Sequence, residues 1–130
     1  MKENSQVSAL SPLKIAASLE EYWSPRVIAK LDDCYVKVAK LKGTLAWHNH
    51  EHEDELFLIL QGKLRIELRD GCVELAKGEL HVVPKGVDHN PVAEDDCLVL
   101  LIERKSTQHT GDVRTGKTRD IAEQLGDSGV

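Results

Sequence analysis

The sequence predicts an all-β domain, a sandwich or barrel, with one short helix near its N-terminus. Three observations carry that expectation. Short runs rich in apolar and β-branched residues are separated by turn signals about every ten residues, the rhythm of strands folding back on one another rather than of βαβ units. Some runs alternate apolar with polar residues, the two-residue period of a strand with one wet face. Finally, 130 residues, 41% of them hydrophobic, suit one domain, which on folding removes roughly two-thirds of its chain surface from water and so builds a core without covalent staples.

The elements follow in order. The first eleven residues are polar and small, a loose lead-in. Ser11 then caps a helix with Pro12 in its first turn, where a missing N–H costs nothing, and the pattern carries to about Tyr22. Pro25 interrupts it, and strand signals begin at Arg26. Val36, Val38 and Leu41 are placed in a strand with Lys37 and Lys40 on its other side. Leu56 to Leu60 and Leu98 to Ile102 are continuous apolar runs, as in strands buried on both faces, and about five residues is short for a helix. Leu64, Ile66 and Leu68 alternate with charged residues and lead into Asp70-Gly71, a tight hairpin turn. Residues 106–130 are polar, rich in Gly, Ser and Thr, and lack a core-forming period, so they read as an exposed arm or disordered tail. The chain thus divides into an arm and short helix (1–25), a β domain (26–105) and a polar C-terminal tail (106–130).

Composition excludes several function classes. The net charge of −5 comes from interspersed signs with no Lys/Arg cluster to neutralise phosphates, so nucleic acid is not an expected partner. No apolar run reaches a signal-peptide core or the ~18 residues of a membrane span, so neither export nor membrane insertion is expected. Cys34, Cys72 and Cys97 are odd in number, far apart and without a CxxC pair, which argues against a disulfide framework and a cysteine zinc site and suits a reducing cytoplasm.

Histidine is the compositional oddity. Three of the six, His48, His50 and His52, fall within five residues, beside Glu51, Glu53, Asp54 and Glu55. Side chains at i and i+2 of an extended strand share a face, so His48 and His50 present two imidazoles together while Trp47 and Asn49 point away. That arrangement chelates a metal. The helical alternative HExxH fails on spacing, since Asn49 follows His48 and Asp54 stands four after His50. Glu55, at the start of the next apolar run, adds a hard anionic oxygen. The competing reading is a solvated, acidic surface loop. A second segment, Gly78 to His89, has the form G-x5-P-x-G-x2-H, in which glycines and a proline turn the chain after a strand and deliver His89.

Together these segments resemble the two motifs of a small single-domain cupin, approximately G-x5-H-x-H-x(3,4)-E-x6-G and G-x5-P-x-G-x2-H-x3-N. The first is matched by His48, His50, Glu55 and Gly62, the second by Gly78, Pro84, Gly86 and His89. Two positions depart from the pattern: Gly43 precedes His48 by four intervening residues rather than five, and Ala93 stands where the second motif ends in Asn. Neither is a ligand position. The resemblance spans about Arg26 to Arg104 and implies a double-stranded β-helix, or jelly-roll barrel, whose His48, His50, Glu55 and His89 bind one divalent metal. Zinc, manganese, iron, nickel and copper all accept that ligand set. Within cupins the chain is similar to small bacterial proteins of the mannose-6-phosphate-isomerase-like and tetracenomycin-polyketide-synthesis types, a likeness of scaffold more than of reaction.

The expected function is a metal-dependent enzyme of isomerase, cyclase or dioxygenase type acting on a small polar metabolite; the alternative is a non-enzymatic module that binds or senses a small ligand. His52 is the one candidate catalytic residue: on an extended strand it shares the face of His48 and His50, where it would replace a ligand or donate a proton, against the plainer reading of a solvated loop histidine. His81, among apolar residues, reads as a structural strand histidine, and His109 falls in the polar tail. Trp23, Trp47 and Phe57 read as core or interface residues. Edge strands of a jelly roll need cover, so a homodimer is expected, with the N-terminal segment and the strand around Val36 as candidate contacts.

Overall fold

The computed structural model describes residues 8–127 and 130. Its elements are α1 (Pro12–Ser18), β1 (Arg26–Leu31), β2 (Cys34–Thr44), β3 (Glu55–Gln61), β4 (Leu64–Leu68), β5 (Gly71–Leu75), β6 (Leu80–Val83), β7 (His89–Arg104) and α2 (Ile121–Leu125). Every pair of named strands is antiparallel. The expected β barrel with its N-terminal helix is the fold observed.

β7 organises the barrel because it is long enough to serve two partners on one edge. Its first residues pair with β4 (Leu68↔His89 to Arg65↔Val92) and its later ones with β3 (Gln61↔Leu98 to Glu55↔Glu103). Along its other edge it pairs with β2 for nearly its whole length. Between the two halves lie three exposed acids, Glu94, Asp95 and Asp96, opposite an irregularity at Leu41/Gly43. Extra residues in one strand bend it and increase its twist, and here the sheet turns over. Gly62 packs against that corner: a Cβ there would lie 2.5 Å from the Asp96 carbonyl, and its φ is +87°, so only glycine fits without a shift.

Two apolar clusters lie on the two faces of the β2/β7/β3 sheet. Inside the barrel, Leu41, Phe57, Ile59, Leu64, Ile66, Val99 and Leu101 are buried together. Outside, Ala16 and Leu19 of the helical region cover Ile28, Val38 and Leu98. The alternation of β3 and β7 serves both faces, as their continuous apolar sequence requires.

Four expectations need correction. First, α1 ends at Ser18 rather than near Tyr22. Ser11 does cap it, accepting a hydrogen bond from the Lys14 N–H at 3.2 Å, but Leu19 is extended and the chain then runs beside β2. There the Trp23 backbone N–H donates to the Lys40 carbonyl, and its indole N–H to the Lys42 carbonyl at 2.8 Å. Those bonds hold Trp23 at φ +56° and outweigh a local helical preference worth only tenths of a kcal/mol per residue. Second, the turn of the β4–β5 hairpin is Arg69-Asp70, with Gly71 already paired to Leu68. Third, Lys37 does not face away from the core. It shares the parity of Ala39 and Leu41, is 1% exposed, and forms an ion pair with Glu103 at 2.8 Å inside the barrel.

Fourth, the C-terminal segment folds back over the barrel instead of trailing away. Thr107, Thr110 and Gln124 are buried. Thr110 Oγ1 hydrogen-bonds the Val113 carbonyl and Thr118 Oγ1, and the Gln124 amide donates to the Arg119 carbonyl at 2.9 Å. Lys117 Nζ reaches the Thr44 carbonyl and lies over the Trp23 ring. Polar side chains here bond one another and the barrel loops, so an order that needs no hydrophobic period leaves little trace in the sequence.

Candidate metal centre

His48 and His89 are held opposite one another by a two-bond backbone bridge: the His48 N–H donates to the His89 carbonyl at 3.0 Å and the His89 N–H to the His48 carbonyl at 2.9 Å. His50 follows two residues on. The turn of the second motif locks it in place, because the Gly86 N–H donates to the His50 carbonyl at 2.8 Å and the Lys85 N–H to Asp54 Oδ1 at 2.8 Å. The two sequence motifs are therefore joined through backbone donors, which Gly86 exposes by taking φ +78°. Trp47 and Asn49 point outward as expected: Arg69 stacks over the Trp47 ring at 4.0 Å and the Asn49 amide donates to Asp88 Oδ1 at 2.7 Å.

The inward side chains converge. His48, His50, Glu55 and His89 are all buried, and their candidate ligand atoms lie within 4.8 Å of one another. That span is little more than twice the ~2.0–2.2 Å length of a metal–nitrogen or metal–oxygen bond. Glu55 Oε1 lies 3.4 Å from His50 Nε2 and 3.3 Å from His89 Nε2. His48 Nδ1 sits 2.8 Å from the Ala46 carbonyl and His89 Nδ1 2.9 Å from the Val87 carbonyl. A carbonyl only accepts, so both Nδ1 atoms carry the proton and both Nε2 lone pairs are left for the centre of the cluster.

The donor set fits a cation. His50 Nε2, Glu55 Oε1 and His89 Nε2 are buried without a satisfying hydrogen bond, and buried polar atoms without partners cost about 1–3 kcal/mol each. A divalent ion at their centre would satisfy them together. The electrostatics agree. Burial, followed by the neighbouring His89, pushes the His48 imidazole down to about 4, so it is neutral and able to ligate near neutral pH. Burial opposes charge on His50 as well, but the Glu55 carboxylate 3.4 Å away outweighs this and raises it. Glu55 is held well below the usual carboxylate range: burial works against ionisation, and the adjoining imidazoles of His50 and His89 prevail. A protonated imidazole is the cation available to that carboxylate when no metal is bound.

Beside the cluster lies a cavity of about 30 Å³, walled by apolar side chains that include Trp23, Leu41, Phe57 and Leu101, and by His48, Glu55, Glu103 and His109. Glu103 is the cross-strand partner of Glu55. Burial and then the Glu55 charge push Glu103 upward, against the pull of Lys37.

The four histidine and glutamate positions expected from sequence thus come together. His52 does not join them: the chain bends at residues 51–52 rather than continuing as a strand, and the His52 side chain is 79% exposed beside Glu51. His81 lies on β6 opposite Phe57, outside the cluster. Sequence reasoning missed Lys37, Glu103 and His109. The first two were open to a parity argument, since each alternates with inward residues (Ala39 and Leu41; Val99 and Leu101). For the segment that carries His109 the one signal was the Asp120/Glu123 spacing, a capping box, seen here as the Asp120 N–H donating to Glu123 Oε1 at 3.1 Å.

Comparison with known proteins agrees with this fold. A family model described as "Cupin domain" matches residues 35–103. An uncharacterized protein, YdbB of Bacillus subtilis (strain 168), is 30% identical over 97 residues, covering 74% of this chain and 86% of that one. A crystal structure of a cupin-2 domain containing protein from Shewanella frigidimarina NCIMB 400 superposes with a TM-score of 0.74 at 36% identity, over 78% of this chain and 100% of that one. Protein NMB1881 from Neisseria meningitidis gives 0.69 at 30% identity, over 75% and 100%.

Proposed function

The chain belongs to the cupin domain family, and from that premise we propose that it is a metal-dependent enzyme, of isomerase, cyclase or dioxygenase type, acting on a small polar metabolite with one divalent ion on His48, His50, Glu55 and His89. The observation that carries this reading is that His50 Nε2, Glu55 Oε1 and His89 Nε2 are buried without hydrogen-bond partners in a cluster whose four candidate ligand atoms lie within 4.8 Å of one another. A divalent ion bound there supplies Lewis acidity toward a substrate oxygen or, if it is iron, the redox chemistry of a dioxygenase.

The chain's own residues do the rest. The Ala46 and Val87 carbonyls hold two imidazoles in one tautomer and orientation, and Glu55 supplies the charge that a cation needs. Trp23, Leu41, Phe57 and Leu101 exclude bulk water, which strengthens every electrostatic contact in the cavity. Metal analysis should find about one divalent ion per chain, and His48→Ala with His89→Ala should abolish it; unchanged metal content in that double variant would refute the ligand assignment.

The tightness of the cavity favours one second reading, a non-enzymatic module that binds a small ligand. Turnover of any compound in a substrate panel, lost on chelation, decides against it. Under either reading the three thiols without a disulfide suit a reducing cytoplasm. The strand around Val36 is β2, paired with β1 on one edge and β7 on the other, so it offers no edge to a second copy; among the described residues the edge of β1, where Leu31 is exposed, suits the homodimer instead, which size-exclusion chromatography with light scattering tests.

A further inference from the structure

We propose that His109, delivered by the folded C-terminal segment, and Glu103 are the donor and acceptor that hold a small hydroxy-carbonyl compound against the metal centre. The inference deepens the reading above and rests on it. His109 lies beyond the residues matched by the cupin model, yet it borders the same cavity as His48 and Glu55. Among the described residues, Glu103 and His109 are the two side chains outside the ligand cluster that bring free hydrogen-bonding capacity to that cavity, since the indole N–H of Trp23 is engaged by Lys42.

Their roles follow from the bonds they already make. The Arg119 backbone N–H donates to His109 Nδ1 at 2.9 Å. That nitrogen is an acceptor, so the ring proton sits on Nε2 and His109 offers a donor. Burial pushes this imidazole down to about 4, so the neutral donor tautomer persists at neutral pH. Glu103 has the opposite capacity. Its Oε1 is held by Lys37 at 2.8 Å, while Oε2 is buried without a partner. One oxygen anchors the side chain and the other is free to accept.

A compound that satisfies both groups presents an acceptor oxygen to His109 and a hydroxyl hydrogen to Glu103, which is the functionality of an α-hydroxycarbonyl. The same pair of oxygens chelates a metal. His109 is placed at the cavity by the two residues that follow it: Thr110 is fully buried, and Gly111 lies so close to the Asn49 carbonyl that a Cβ would collide with it. The cavity of about 30 Å³ holds little more than a water molecule, so a ligand of this class enters as the segment shifts outward. Residues 105–120 contain no strand or helix, which makes this wall the readiest to yield.

The test uses full-length protein loaded with cobalt(II), whose visible bands report its ligands, titrated with acetohydroxamate as the hydroxy-carbonyl probe. Wild type should take up one cobalt per chain and change spectrum with the probe. His109→Phe, which fills the space without a donor, should weaken the probe at least tenfold with cobalt content unchanged, whereas His109→Gln, whose amide still donates, should stay within about threefold. Cobalt uptake with a probe that fails to bind wild type, or binds His109→Phe equally well, overturns this proposal alone. Absence of cobalt uptake in wild type overturns the metal reading and this one with it. A second readout needs no variant: isotope-labelled histidine NMR of the zinc-loaded protein should show His109 protonated on Nε2, with that proton shifted by the probe. An Nδ1 proton or an unmoved signal overturns the assignment.

Discussion

Two buried polar clusters lie side by side in this barrel, and they differ in whether they contain a lysine. Lys37 and Glu103 form an ion pair at 2.8 Å, each almost wholly buried. Next to it, across one strand pairing, His48, His50, Glu55 and His89 gather three imidazoles and a carboxylate with no lysine or arginine among them. The first cluster is close to closed within the fold, with one oxygen to spare. The second is left with partnerless atoms that an ion would satisfy. A buried charge is tolerated only when paired, so the first cluster is largely satisfied within the fold and the second is the one a cation would complete.

The largest effect expected from breaking this contrast comes from removing the built-in cation. Lys37→Met leaves Glu103 buried and unpaired next to Glu55. It should cost about 3–5 kcal/mol and lower the melting temperature by more than about 10 °C, whereas Lys37→Met with Glu103→Leu should recover most of the loss. Thermal denaturation of the two variants checks this; an unaffected single variant would show that the pair contributes nothing.

Acid should come next. His48 and His109 sit at about 4 in the folded chain, against about 6.5 when unfolded. Between those values the unfolded chain binds more protons. The stability from keeping both imidazoles neutral is complete above pH 6.5 and lost as the pH falls toward 4, on the order of 3 kcal/mol for each, and Glu103, whose affinity for a proton is raised in the folded chain, offsets part of that loss over the same fall. Denaturant titrations of metal-free protein at pH 7 and pH 4.5 measure it, and His109→Gln should show a visibly flatter profile.

Supplying the missing cation should have an effect of similar but smaller size. At a hundredfold excess over its dissociation constant, a divalent ion stabilises by about 2.7 kcal/mol, so a melting-temperature rise in wild type that vanishes in His48→Ala with His89→Ala sharpens the assignment. The smallest effect belongs to the exposed cluster outside the barrel. Arg69→Ala removes the stacking over Trp47 and a contact to Asp88 at 3.4 Å, and should cost only about 0.5–1 kcal/mol. A loss comparable to that of Lys37→Met would mean that burial is not what separates these clusters.

Much of the fold was legible because its signals are local. Leu64, Ile66 and Leu68 alternate with charges, Leu98 to Ile102 run continuously apolar, and each became the kind of strand its pattern predicts. The site was legible for a related reason. Two residues of spacing bring His48 and His50 onto one face, and the Pro84–Gly86 turn delivers His89 beside them. His52 obeyed the same spacing on paper but fell on a bend, and its side chain turned to solvent. Lys37 misled, and Glu103 was passed over, because a charged residue is ordinarily a mark of the wet face, and only a partner across a strand reverses that rule. His109 and Thr110 came from a segment whose order rests on polar bonds among side chains, which carry no periodicity.

By itself, then, the sequence determined the strand pattern, the hairpin, the capped start of the helix and the spacing of three histidines and a glutamate, all of which depend on neighbours within a few residues. Tertiary structure alone decided where the helix stops, which lysine is swallowed by the barrel, and that a polar C-terminal segment returns to wall the cavity. The reason is physical. A backbone period selects a face, but whether that face meets water, an apolar core or an opposite charge depends on chain brought from far away, and Lys37 meets Glu103 only because β2 and β7 lie side by side.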